Sequence, residues 1–191
     1  MRWLLALLLC LILVPISAAS AHQQIGDEPA TVHYPATDHL VSLIAKHSVE
    51  ARAYATPEGE DGDAVFALWG AWGYVEITQA DHATVRRFVL EEAEAIAEHR
   101  PSPSGDEWAQ ALSVLVLVHE AWHLRDIKNN DNEAVTECRA IKTFPKAVVW
   151  LGGPPQLANS LLAEALWIHR YGMDSRYRLK SCKLPKPELP G

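Results

Sequence analysis

Apolar residues recur along this chain mostly at helical spacing, and turn-forming residues divide them into segments. Residues 22–37 are polar, carry Pro29 and Pro35, and read as an N-terminal arm. Asp38 is placed to cap a helix from His39 to about Tyr54, supported by Leu40, Val41, Leu43, Ile44 and Ala45. Pro57 to Asp63 is an acidic, turn-rich loop, read as solvated in preference to a weak calcium site. Ala64 to Thr78 is aromatic and β-branched with interspersed glycine, which predicts one or two strands. A helix capped by Asp81 follows to about His99. Its apolar stripe is Val85, Phe88, Val89, Ala93, Ile96 and Ala97, and its wet side is Arg86, Arg87, Glu91, Glu92 and Glu94.

Arg100 to Gly105 breaks that helix, and Asp106 or Ser104 caps the next, which runs through Trp108 and Leu112 to Leu124. From Ala111 to Val118 this segment is apolar on nearly every side, so it belongs at the centre of the fold. After a polar turn at 126–131, Asp131 or Asn130 caps a helix from Asn132 to about Phe144. Pro145 ends or kinks it, and 146–151 offers a continuation. Gly152-Gly153 is a break. Pro154-Pro155 opens a last helix to Tyr171 with Gly172 at its C-cap, and the basic, proline-rich tail from Met173 is expected to have little order. The predicted fold class is mainly α with a small β element (α+β).

The first 21 residues stand apart. Met1-Arg2 is followed by an apolar run from Trp3 to Val14 and then by Ser17-Ala18-Ala19-Ser20-Ala21, the layout of a signal peptide cleaved before His22. An uncleaved N-terminal anchor is the alternative, disfavoured because a span needs about 20 apolar residues. The expected location is therefore secreted or cell-envelope. Residues 1–21 hold one of the 17 basic residues and none of the 24 acidic ones, so the remainder carries a net charge of −8. That balance disfavours nucleic acid and anionic membrane as partners. Cys138 and Cys182 remain after cleavage. In an oxidising compartment they can pair, tying the tail to the helix of Glu133 and Glu137; otherwise Cys138 is a small buried residue and Cys182 a free thiol.

The candidate chemistry lies in His119-Glu120-Ala121-Trp122-His123. Histidines at i and i+4 share one helix face, so both imidazoles can bind one zinc ion, and Glu120 can reach a water on that ion without ligating it. A catalytic zinc takes a third protein ligand from elsewhere. Glu133 and Glu137 are the near candidates, one turn apart on the following helix, which a short loop returns beside the first.

With Asn132-Glu133-Ala134-Val135-Thr136-Glu137, the pattern resembles the gluzincin metallopeptidases, in which a His-Glu-x-x-His helix is followed by Asn-Glu-x-x-x-Asp. It also resembles small exported bacterial His-Glu-x-x-His proteins with a following Glu-x-x-x-Glu-Cys. The gluzincin resemblance covers about residues 115–142. It implies a minimal zincin-like catalytic domain over residues 38–172, Zn2+ held by His119, His123 and Glu133, and Glu137 as the acid that orients a ligating histidine. It further implies Glu120 as general base and a peptide or protein as substrate. The gap from His123 to Glu133 is shorter than in thermolysin-like enzymes, and the second acid is Glu where Asp is usual. Glu137 therefore stays open as the alternative ligand. The metzincin pattern fails, because Asp126 and Asn129 stand where its glycine and third histidine belong.

An oxyanion-stabilising side chain is sought among His169, Arg170, Tyr171, Arg176 and Tyr177, with Tyr171 or His169 preferred; the alternative is an ordinary helix terminus. Trp72 to Glu76 can form an edge that aligns a peptide, or simply aromatic core. The competing function is a non-catalytic, zinc-stabilised or partner-binding helical domain.

Overall fold

The computed structural model describes residues 34–54, 73–74, 82–126 and 132–187. Residues 1–21, expected to be a leader, most of the N-terminal arm, the acidic loop at 57–63, and the strand-like stretch apart from residues 73–74 lie outside the described residues. The elements run α1 (Pro35–Ala45), β1 (Glu50–Tyr54), β2 (Gly73–Tyr74), β3 (His82–Arg86), α2 (Arg87–Ala97), α3 (Glu107–Arg125), α4 (Glu133–Trp150) and α5 (Pro155–Trp167). A π-helical turn (Ile168–Gly172) and a 3-10 turn (Ser175–Tyr177) follow. The fold is mainly helical with a small sheet of order β1-β3-β2, in which β1 and β3 are parallel and β2 is antiparallel to β3. Among the described residues no helix is long and apolar enough to cross a membrane.

The apolar helix predicted at the centre is there. α3 packs against α1, α2, α4 and α5, and Val114, Leu115, Leu117, Val118 and Ala121 are fully buried along it. Asp106 caps it, its Oδ1 accepting from the Trp108 backbone N–H at 2.9 Å. Asn132 caps α4 by accepting from Val135 N–H at 3.1 Å, in place of the expected Asp131 or Asn130. α4 does not stop at Pro145 but continues to Trp150. At the junction with α5, Gly153 is required sterically: a Cβ there would lie 2.8 Å from Val148 Cγ1 and 3.0 Å from the Val148 carbonyl oxygen.

Two expected helices are shorter than predicted, and each gives up an end to the sheet. α1 starts at Pro35 and ends where Lys46 turns left-handed at φ 65°. The Ser42 hydroxyl then bonds both the N–H and the C=O of Val49, and residues 50–54 run extended. There Val49 and Ala51 are buried while Glu50 and Arg52 are exposed, the two-residue alternation of a half-buried strand. Asp38 does not cap α1; its Oδ1 accepts from Ala51 N–H at 2.6 Å and fastens β1 to the helix. Likewise the segment after Asp81 begins as β3 and becomes α2 only at Arg87.

The wet side predicted for α2 is also corrected. Arg86, Glu92 and Glu94 are buried. Glu94 accepts from the Ala36 and Thr37 N–H groups at 3.2 and 3.3 Å, supplying the acceptors that the first turn of α1 lacks. Glu92 accepts from Ser104 N–H and the Ser102 hydroxyl at 2.8 and 2.7 Å, just before α3. Residues 173–187 of the tail are fastened to the fold, contrary to expectation. Cys182 forms a disulfide with Cys138, Cα to Cα 5.8 Å, and Leu184 packs against the core.

Candidate metal centre

The site forms where the second half of α3 meets the first turns of α4. Trp122 Nε1–H donates to Thr143 Oγ1 at 3.0 Å, and Arg139 forms an ion pair with Asp126. These contacts match later α3 positions to earlier α4 positions, as in antiparallel neighbours. His119 and His123, one turn apart, present their Nε2 atoms to the same point, 2.9 Å from each other. Glu133 Oε2 joins them at 2.9 Å from His119 Nε2 and 3.4 Å from His123 Nε2. Each of the three residues thus offers one ligand atom, and the group can hold a metal ion. In a tetrahedral centre with bonds of about 2.0–2.1 Å the ligand atoms sit about 3.3 Å apart, so these atoms need to part only slightly to admit an ion.

Glu137 settles which nitrogen of His119 faces that point. Its Oε2 lies 2.9 Å from His119 Nδ1, on the far side of the ring from Glu133. With Nδ1–H donated to Glu137, Nε2 is the nitrogen available to a metal, the arrangement that carboxylates behind metal-bound histidines impose. Glu137 is fully buried and not among the converging ligand atoms. His123 has no such support: its Nδ1 is buried without a hydrogen-bond partner among the described residues.

The charges fit a cation site. Burial alone would lower the pKa of His119, but hydrogen bonds with Glu133 and Glu137 carry it up to about 10. Those hydrogen bonds favour the protonated over the neutral ring of His119. Burial opposes ionisation of Glu133 and Glu137, yet their histidine partners hold both below the usual carboxylate range. Glu120 is buried beside these groups, and desolvation raises its pKa, only partly offset by His119 and His123. A carboxylate whose pKa is raised is better suited to accept and return a proton.

The two residues preferred for the oxyanion are placed elsewhere. Tyr171 is 67% exposed, its ring centroid 5.7 Å from that of Trp167. His169 is buried with Nδ1 3.3 Å from Glu137 Oε1, behind the ligand atoms. The tyrosine at the site is Tyr177, whose ring lies 5.8 Å from His119. Burial, then the Glu133 charge, raises its pKa, so its phenol stays protonated. Its hydroxyl accepts from Arg176 Nη2 at 3.3 Å. Tyr177 had a signal in the sequence: it stands five residues before Cys182, whose pairing with Cys138 draws the tail back onto α4. Nothing matches this chain in comparisons with protein-family models, curated proteins or solved structures.

Proposed function

We propose that this chain is an exported zinc-dependent metallopeptidase whose ion is held by His119, His123 and Glu133. The observation that carries the reading is the convergence of two imidazole nitrogens and one carboxylate oxygen within 2.9–3.4 Å, beside a buried glutamate that is not one of them. Two nitrogens and one carboxylate oxygen are a donor set that catalytic zinc sites use, leaving a coordination position for water or substrate. When bound there, zinc supplies the Lewis acidity that acidifies a water and polarises a scissile carbonyl.

The chain's own residues do the rest. Glu120 takes a proton from the attacking water and passes it to the leaving amine, a role worth about 10²–10⁴-fold in rate. Glu137 holds His119 in the ligating tautomer. Tyr177 takes the place proposed for Tyr171 or His169: with Arg176 donating to its oxygen, its own proton is available to a substrate oxygen.

The test is cleavage of a proteome-derived peptide library by zinc-loaded protein, beside Glu120→Gln. The wild type should cleave; the variant should keep zinc and its melting temperature while losing about 10²-fold or more of the rate. Equal cleavage by the two proteins removes Glu120 as the base. Zinc binding without cleavage of any peptide by the wild type favours the non-catalytic alternative.

A further inference from the structure

We infer that His169 is a positioning residue for the metal centre, acting through Glu137 on the plane of the His119 ring. The inference rests on the metal-binding reading above and extends it to a third layer of side chains. The connected atoms are His169 Nδ1 to Glu137 Oε1 at 3.3 Å, then Glu137 Oε2 to His119 Nδ1 at 2.9 Å. Each carboxylate oxygen thus has one histidine.

A wholly buried carboxylate held at one oxygen can swing about its last torsion, and an unsatisfied oxygen in such a place is costly. Held at both, its plane is set, and with it the ring of the ligand in front. His169 is an expensive residue for its position: α5 otherwise buries Ala158, Leu161, Leu162 and Ala165, and Ile168 beside it is buried too. An imidazole among those residues must shed its water, which an apolar side chain would do at no polar cost.

The backbone at this residue is unusual as well. The α-helix gives way at Ile168–Gly172 to a π-helical turn, a form found in well under 1% of residues and frequently at functional sites. Ile168 and His169 are both buried there, the first in the apolar core and the second against Glu137. A packing role explains Ile168 but not the polar bond next to it.

The experiment uses zinc and three variants. Zinc affinity is measured by competition with a chromophoric chelator, cobalt(II) spectra report the ligand field, and thermal unfolding of metal-stripped protein reports the fold. His169→Leu keeps bulk and removes the donor; His169→Asn places an amide nitrogen near the Nδ1 position; His169→Gln carries its amide too far out. Losing a group behind a metal ligand costs about 10–100-fold in affinity, and the 3.3 Å bond places His169→Leu near tenfold. Zinc binding by His169→Asn should stay within about threefold of wild type with an unchanged cobalt spectrum, and His169→Gln should fall between.

Wild-type zinc affinity in His169→Leu, with only the metal-free melting temperature lowered, overturns the positioning role and leaves a structural one. Should the leucine variant not fold, equal zinc affinity in the asparagine and glutamine variants overturns it instead. Wild-type protein that takes up neither zinc nor cobalt fails the metal reading itself, and this inference with it.

Discussion

Replacing both Cys138 and Cys182 with serine opens a ring whose closing residues stand 44 apart in sequence. In the chain-entropy account, a cross-link of that span removes about 13 cal/mol/K from the unfolded ensemble, worth about 4 kcal/mol at room temperature. For a domain of this size each kcal/mol moves the melting temperature by about 2–4 °C, so the double variant should melt about 8–16 °C below the parent. The ring encloses His169 and Tyr177 and is fastened one residue beyond Glu137, so the loss should come with loosening of the tail around Tyr177. The assay is circular dichroism melting of metal-stripped parent and variant, with hydrogen exchange over residues 173–187. A melting temperature within about 2 °C of the parent, with unchanged exchange in the tail, would refute the argument that this ring restrains the chain.

Two further outcomes follow from the proposed metal centre. His123→Ala should reduce zinc binding by several orders of magnitude, and wild-type affinity in the chelator assay would remove His123 as a ligand. Zinc affinity should rise with pH between about 6 and 8, by up to about tenfold per unit, because His119, with its pKa raised to about 10, must release a proton to the solvent as it ligates. A flat titration contradicts that linkage. In the metal-free protein the same proton stabilises the fold: the contribution is complete below about 6.5 and is lost as pH rises through about 10.

The central helix and the face that carries His119 and His123 were readable because their signals are local. An unbroken apolar run, a capping aspartate and two histidines one turn apart do not depend on distant partners. The strand positions were harder. Val49-Glu50-Ala51-Arg52 alternates in burial, but it follows a strong helical stripe that a longer helix absorbs. What ends that helix is Lys46 in the left-handed region, which the residue type does not announce. The tail looked loose because its lysines and prolines suggest solvent, and its order depends on a cross-link to a helix 44 residues earlier. Tyr177 stood in a polar cluster without being preferred, and His169 was preferred there for a different role, at the oxyanion. Their division of labour, one behind the ligand atoms and one against the His119 ring, depends on how the chain turns after Trp167.

The carboxylates of α2 carry a practical warning for anyone who redesigns this protein. On a helical wheel Glu92 and Glu94 look like freely exchangeable surface charge, the usual place to add lysine for solubility. In the folded chain each accepts hydrogen bonds from a neighbouring segment, Glu94 from the start of α1 and Glu92 from the approach to α3. A lysine at either place would set an ammonium against amide hydrogens. The harm from a change made for handling would then reach the helix that carries His119 and His123.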